Sequence, residues 1–327
     1  MDEFSFIDSI KQDVYFQPSV LKGIGDDAAV FRANNQDIIT AVDTLVEDVH
    51  FSRDTMAPFD VGYRALAVNI SDLAAMGAAP AFYMVSIVIP EDWSVEEIDE
   101  IYSGMKELAK QYRMDLIGGD TVSGKELVVS VSVFGLVPPD KSRYRSLAKP
   151  GDVLFVTGTL GDAQAGLEYL LGKHHFDEAV ADYFISRHRQ PDPRVAFALQ
   201  LQSLKRVALN DISDGIASES NEIAAASGVD LHIKYEDLPR VEYMNGLEKE
   251  VCKPWMLSGG EDFELLGAVP EKDWEAVQQA AEASSTRVTK IGSVSEKKAT
   301  EPVVFLYEEN EKSRLTKSGY THLRQDR

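Results

Sequence analysis

Strand-like and helix-like segments alternate along the whole sequence, and this alternation restricts the fold more than any other feature. Between the strand candidates, the segment 59–76 repeats apolar residues at steps of three and four, as a helix with one core-facing stripe does. The alternation predicts an α/β or α+β protein. The runs rich in β-forming residues span 37–42, 82–89, 127–137, 153–158, 263–269 and 302–307.

A break in regular structure separates the two halves of the chain. The segment 138–152, PPDKSRYRSLAKPGD, combines prolines and a glycine with a local basic cluster between two strand candidates. A chain of 327 residues is long enough to form two domains, each with its own core. We therefore expect an N-terminal domain over residues 1–140 and a C-terminal domain over residues 150–327.

Charge and cysteine content limit the partners and the compartment. Acids outnumber bases by 54 to 33, giving a formal net charge of −21, so nucleic acid and anionic membranes are disfavoured as partners. An anionic substrate would be repelled unless cations bind between it and the protein. The single cysteine, Cys252, the acidic amino-terminal segment and the lack of a long apolar run predict a cytoplasmic protein without a membrane span.

Aspartates follow several of the apolar strand candidates. Asp43, Asp120 and Asp211 each follow such a run, and we expect them at the carboxyl ends of strands, where ligands bind in sheets with helical crossovers. One acid beside a glycine usually indicates a turn or a helix cap. Repeated acids beside apolar strands favour metal binding, because burying an unpartnered carboxylate costs several kcal/mol. Such hard oxygen ligands suit magnesium.

Two more aspartates are associated with predicted helices. Asp72 falls on a side of the helix 59–76 that otherwise carries small residues, so a ligand could approach it, although a backbone cap is the alternative. Asp214 follows Asp211 by three residues, with Ser213 between them, just before a helix rich in small residues. Acids there can cap the helix, and the same helix start can receive a phosphate with its metal ion.

Other phosphate-binding and catalytic motifs are incomplete or missing. The stretch GGDTVSGKE nearly matches a P-loop, but Glu126 stands where Ser or Thr is required. The sequence has no HRD and DFG pair, no G-x-S-x-G elbow and no zinc-ligand spacing among its histidines.

Taken in order, seven motifs resemble those of the thiamine-monophosphate kinase family: GIGDDAAVF, VDTLVEDVHF, NISDLAAMGAAP, GGDTVSG, TGTLGDAQAGL, NDISDGIASE and SGGEDFEL. That family belongs to the aminoimidazole-ribonucleotide synthetase-like superfamily, and the resemblance runs from about residue 3 to 323. It implies a two-domain fold of mixed sheets flanked by helices. It also implies ATP-dependent phosphorylation of thiamine monophosphate to thiamine diphosphate, with several magnesium ions.

The resemblance further implies a homodimer joined through the sheets of the N-terminal domains, which bind ATP and metal. ATP would lie in a cleft that the C-terminal domain completes. The family commonly has Ser or Thr where Ala41 and Val42 precede Asp43, so a metal contact there would use only backbone carbonyls. Carried over by position, the magnesium ligands, which also serve catalysis, are Asp27, Asp43, Asp72, Asp120, Asp211 and Asp214. The ATP contacts are Tyr102, Gly119, Asp120, Arg145 and Ser213, and the thiamine contacts are His50, Glu261 and Tyr320.

Two alternatives remain open on the sequence. One is another ATP-dependent enzyme of the same superfamily, such as an aminoimidazole-ribonucleotide synthetase-like ligase or a selenophosphate synthetase; the latter usually has a reactive cysteine near its amino terminus, whereas Cys252 lies mid-chain. The other is a non-catalytic divalent-metal-binding protein, although the D-x-[DN]-x-[DN]-G calcium loop is absent.

Overall fold

The computed structural model describes residues 14–22, 30–31, 35–309 and 311–318. Two of the predicted site residues, Asp27 and Tyr320, lie outside these ranges. The chain divides into two compact units, Met1–Leu73 with Ala78–Ser142 and Ala74–Gly77 with Arg143–Arg327. In the described part of the chain, no helix is long and apolar enough to cross a membrane.

The first unit contains a four-stranded mixed sheet and two long helices. Its elements are β1 (Val20–Lys22), β2 (Val30–Phe31), β3 (Asp37–Val46), α1 (Pro58–Ala75), β4 (Ala79–Ile89), α2 (Val95–Tyr112), β5 (Asp115–Ser123) and β6 (Val128–Val137). The sheet order is β3-β6-β4-β5, with β4 and β5 parallel and the other pairs antiparallel. Strands β1 and β2 form a separate antiparallel pair.

One face of the four-stranded sheet is buried, and the other, the open face, is partly exposed among the described residues. Alternate residues of β6, such as Val129, Val131 and Val133, are fully buried, as the two-residue period of a strand requires. The opposite face exposes apolar side chains, including Val42 at 60% and Met84 at 36%.

Helices α1 and α2 cross at two glycines. A Cβ on Gly62 would lie 1.7 Å from the Ile101 carbonyl oxygen, and one on Gly104 would lie 2.0 Å from the Phe59 carbonyl oxygen. Only glycine allows the two backbones to approach this closely. The start of α2 is set by Ser94, whose hydroxyl accepts the backbone N–H of Glu97 in a capping box.

The second unit is built on a seven-stranded sheet. Its order is β13-β12-β9-β11-β7-β10-β8, and of these pairs only β9 and β12 are parallel. Leu231, Val156 and Leu266 from this sheet pack with Ile223 of the sixth helix in one core cluster. The elements are β7 (Asp152–Thr157), α3 (Asp162–Leu170), α4 (Glu178–Arg189), α5 (Val195–Gln200), β8 (Ala208–Asp211), α6 (Ile216–Ser227), β9 (Val229–Lys234), α7 (Lys249–Ser258), β10 (Leu265–Pro270), α8 (Trp274–Ala283), β11 (Val288–Glu296), β12 (Val304–Glu308) and β13 (Glu311–Arg314).

The predicted mixed sheets flanked by helices are confirmed. The helix predicted over 59–76 is α1, and each of the strand candidates overlaps an observed strand. Two strand bounds differ in ways that affect the site. Strand β3 continues past residue 42 to Val46, and β10 begins only at Leu265, so residues 263–264 precede the strand.

Candidate functional site

In the first unit, Asp43 and Asp72 are brought into contact. The backbone N–H of Asp43 donates to Asn69 Oδ1 at 2.9 Å, which ties β3 to α1, and the Asp43 and Asp72 side chains share a hydrogen bond. Two carboxyl groups in such contact need a shared proton or a cation. Loss of water around the Asp43 carboxyl raises its pKa, although the Asp72 hydrogen bond and the charge of His50 act in the opposite direction.

His50 lies close to this pair and its ring is oriented by the backbone. The Val46 N–H donates to His50 Nδ1 at 3.0 Å, so the neutral ring carries its proton on Nε2. The half-buried Nε2–H edge is then the one that can donate to a substrate.

Asp120 is not brought together with Asp43, and the prediction that both end their strands is wrong. Both lie within strands, because β3 and β5 extend beyond them; only Asp211, the last residue of β8, ends a strand. Strands β3 and β5 are the two edges of the sheet, three strand spacings or roughly 14 Å apart. The register places Gly119 in the row of Asp43, so Asp120 projects from the opposite face.

Two predicted ATP contacts of the first unit, Gly119 and Tyr102, are closely packed. A Cβ on Gly119 would lie 2.0 Å from the Val85 carbonyl oxygen, so this position requires glycine for sheet packing alone. Tyr102 is 8% exposed on α2, and burial raises the pKa of its hydroxyl. Its side chain therefore offers a ligand only a small edge.

In the second unit, Asp211 and Asp214 lie around a glutamate that the sequence analysis missed. Glu219, in the first turn of α6, is 5% exposed. Its carboxylate accepts bonds from the Asn210 amide and from the backbone N–H of Asp214, the latter at 3.3 Å. Burial and the charges of Asp211 and Asp214 raise the pKa of Glu219 to about 7, against the lowering effects of the Asp214 amide and Arg145.

The sequence signal for Glu219 was available but ambiguous. An acid in the first turn of a helix commonly interacts with the helix dipole, which is sufficient reason for its presence. Nothing in its spacing from Asp211 and Asp214 indicates that three carboxylates share one buried region, because the folded loop between Asp211 and Ile216 creates that arrangement.

Arg145 and Ser213 occupy more exposed positions near the same helix. Arg145 begins a short 3₁₀ turn, its side chain is 49% exposed, and its Nη1 lies 3.5 Å from Glu222 Oε2 on α6. Such a long, exposed ion pair is weak and can be exchanged for phosphate oxygens. Ser213 Oγ lies 3.5 Å from Glu219 Oε1.

Glu261 is held beside Ser213 by an unusual turn. Its backbone has a φ of +71° and its N–H donates to the Ser213 carbonyl oxygen at 2.7 Å, so two predicted site residues lie together. The Glu261 carboxylate lies 3.9 Å from Nδ1 of the buried His188 on α4.

The described residues do not include a preformed cluster of three or more His, Cys, Asp or Glu side chains at metal-ligand distances. The donor set nevertheless fits a hard divalent cation, because two places bring carboxylates together. These are the Asp43 and Asp72 contact in the first unit and the Asp211, Asp214 and Glu219 group in the second.

Comparison with known proteins identifies the family of the chain. Residues 25–137 match the model for the N-terminal domain of AIR synthase related proteins, and residues 149–305 match the model for their C-terminal domain. Over 329 aligned residues the chain is 48% identical to the thiamine-monophosphate kinase of Bacillus subtilis, covering 99% of this chain and 100% of that protein. The chain belongs to the thiamine-monophosphate kinase family.

Solved structures of the thiamine-monophosphate kinase family have the same fold. The enzyme from Stenotrophomonas maltophilia K279a is 33% identical with a TM-score of 0.82, covering 95% of this chain and 98% of that one. The structure of AaThiL complexed with AMPPCP and TMP is 30% identical with a TM-score of 0.76, covering 98% and 97%. The predicted two-domain, aminoimidazole-ribonucleotide synthetase-like fold is thereby confirmed.

Proposed function

We propose that the protein phosphorylates thiamine monophosphate to thiamine diphosphate with ATP, by direct in-line transfer assisted by magnesium. The observation that carries this proposal is the 48% identity to a thiamine-monophosphate kinase over nearly the whole chain. The similarity to AaThiL complexed with AMPPCP and TMP supports the same pair of ligands for this chain.

The acceptor needs no general base from the protein. The second pKa of a phosphate monoester is about 6, so its oxygen is already largely ionised at neutral pH. The work left to the protein is to bring two polyanions into line and to neutralise their charge. Side chains that bind and orient phosphates therefore matter more than a nucleophile, and we expect no phosphorylated enzyme intermediate.

Six aspartates are the proposed magnesium ligands. When bound, the ions would neutralise phosphate charge and offset the net charge of −21. The crowded carboxylates in each unit support this assignment, because a divalent cation would relieve their repulsion without a shared proton. Glu219 would act beside the ligands of the second unit. The proposed ligands are Asp27, Asp43, Asp72, Asp120, Asp211 and Asp214.

The remaining site residues would bind the two substrates. Arg145 would exchange its weak pair with Glu222 for phosphate oxygens of ATP, and Ser213 would contact ATP from the loop before α6. Tyr102, Gly119 and Asp120 complete the proposed ATP contacts. On the thiamine side, His50 would donate from Nε2, Glu261 would accept from the aminopyrimidine, and Tyr320 would stack on a ring.

The domain roles and the assembly state also belong to this proposal. Residues 1–140 would bind ATP and metal and form a homodimer, while residues 150–327 would complete the active site of a cytoplasmic enzyme. The open face of the four-stranded sheet supports a homodimer, because it exposes Ile38, Val42, Met84 and Val122 by 42, 60, 36 and 47%. Apolar side chains exposed on one face of a sheet favour burial against a second copy.

One assay tests the central proposal. Purified protein is incubated with ATP, magnesium and thiamine monophosphate, and the diphosphate is quantified by chromatography. Parallel reactions contain a chelator, or thiamine in place of the monophosphate. We expect diphosphate only with the monophosphate and magnesium present; no product in that reaction would refute the function, and a phosphorylated enzyme formed during turnover would refute direct transfer.

A further inference from the structure

The turn that carries Glu261 has a backbone conformation that residues other than glycine rarely adopt. Glu261 has a φ of +71° and Phe263 a φ of +49°, so two non-glycine residues flank Asp262 in the left-handed region. The turn is tied to the loop before α6, since the Phe263 N–H donates to the Ile212 carbonyl oxygen at 3.0 Å. An unfavourable backbone of this kind persists only where surrounding contacts hold it.

Asp262 supplies the contact on the other side of the turn. Its side chain is 3% exposed, and its two carboxylate oxygens accept the backbone N–H groups of Gly161 at 2.6 Å and Ala163 at 3.1 Å. These amides belong to the start of α3, whose N-cap residue, Gly161, makes no side-chain cap bond of its own. Asp262 therefore caps a helix from a distant segment and fixes the turn to it.

The end of the same segment is held by a buried ionic network. Glu264 is fully buried and pairs with Arg194, Nη2 to Oε1 at 2.5 Å, and with Arg187, Nη2 to Oε1 at 2.8 Å. Thr157 donates to the remaining oxygen of Glu264 at 2.8 Å. With Glu264 fixed in this way and the Glu261 N–H bonded to Ser213, Asp262 is the side chain between the two left-handed residues that ties the turn to α3.

We propose that Asp262 is a positioning residue, which holds Glu261 in its left-handed conformation so that the Glu261 carboxylate meets the thiamine part of the substrate. This inference rests on the proposed function and on the proposed contact between Glu261 and that substrate. Asp262 itself is buried with both oxygens engaged by backbone amides, so it acts through Glu261 and does not touch ATP, metal or thiamine.

The test is the isosteric variant Asp262→Asn, which keeps the shape but gives one of the two capping sites an amide that cannot accept a hydrogen bond. We expect the KM for thiamine monophosphate to rise by about tenfold, as when the support of a binding residue is removed, with kcat and the KM for ATP changed less than about twofold. A fall in kcat with both KM values unchanged would refute the inference, because a general loss of folded protein has that effect.

Asp230 provides a matched control in the same unit. It is 2% exposed, and its carboxylate accepts the backbone N–H groups of Lys298 at 3.1 Å and Val303 at 2.8 Å. Asp230→Asn therefore makes the same chemical change at a buried carboxylate on β9 that accepts two backbone N–H groups from the segment before β12. We expect a lowered Tm with an unchanged KM for thiamine monophosphate; a tenfold rise here too would refute a specific role for Asp262.

A double-mutant cycle with Glu261→Ala separates positioning from other effects. If Asp262 acts through Glu261, Asp262→Asn raises KM in the native background but not when Glu261 is already alanine. An equal rise in both backgrounds, or no effect of Glu261→Ala alone, overturns the inference while native activity leaves the proposed function standing. Lack of diphosphate with the native protein overturns the function itself.

A second substitution at Asp262 tests the inference if Asp262→Asn does not fold. Asp262→Ser keeps one small acceptor, so it should show the same selective rise in KM where Asp262→Asn does not fold. Failure of both variants to fold overturns the inference, because Asp262 would then support the whole unit and not one turn.

Discussion

Glu219 gives a prediction whose size follows from its surroundings. In the magnesium-free protein its pKa is raised from 4.5 to about 7, so the folded state binds a proton more tightly than the unfolded state does. The associated stability is complete below pH 4.5 and is lost as the pH rises through 7. The two pKa values differ by about 2.5, which at 1.36 kcal/mol per factor of ten corresponds to about 3 kcal/mol.

The variant Glu219→Gln removes this dependence because the amide stays neutral. Relative to the native protein, we expect its free energy of unfolding to increase by about 3 kcal/mol more at pH 8.5 than at pH 4.5. Comparing two pH values cancels the constant cost of replacing one hydrogen-bonding group by another. The result would also show that the group formed with Asp211 and Asp214 carries excess negative charge when no cation is bound.

The measurement is urea unfolding in chelator at both pH values, followed by tryptophan fluorescence, since Trp255 and Trp274 report on the second unit. Glu222→Gln on the same helix is the control. Its ion pairs with Lys317 and Arg145 lower the pKa of Glu222, so the variant should lose a little stability at high pH instead of gaining it. Equal effects of Glu219→Gln at both pH values would refute the argument.

Three further variants test other parts of the structure. Asp72→Asn should lower diphosphate formation at least about a hundredfold with an unchanged circular dichroism spectrum, because a proposed magnesium ligand is lost, and full activity would contradict the metal assignment. Gly104→Ala should lower the free energy of unfolding by about 1 to 3 kcal/mol in a denaturant titration, because its Cβ would lie 2.0 Å from a backbone oxygen. Gly118→Ala is the control, since a Cβ there meets nothing within 4 Å, and an equal loss would contradict the packing argument. Val42→Lys should shift the proposed homodimer to monomer in sedimentation velocity, with the native protein as the reference, and an unchanged mass would argue against the exposed sheet face as the interface.

The sequence predicts the elements of this fold better than it predicts how they end and meet. The periodicity of apolar residues identified α1 and the principal strands, because burial imposes that pattern directly. It placed the end of β3 too early, since an open sheet face lets a strand continue through exposed residues such as Thr44. The contact of Asp43 with Asp72 joins a strand to a helix, and no local pattern encodes such a pairing.

The second unit shows the same limit in a different form. Asp211 was correctly expected at the end of a strand, but Glu219 was missed because a first-turn acid has an ordinary explanation. The left-handed backbone of Glu261 could not be anticipated, because the usual sequence sign of that conformation is glycine and contacts from the start of α3 and from the loop before α6 hold it here.

The crossing of α1 and α2 has a consequence for anyone who engineers this protein. Gly62 and Gly104 hold the two helix backbones together, and α1 also carries Asn69 and Asp72. Any added atom at either glycine must push α1 away from α2, which would move both polar groups relative to β3. Libraries designed to change substrate preference should therefore leave these two positions unvaried, even though neither glycine touches a substrate.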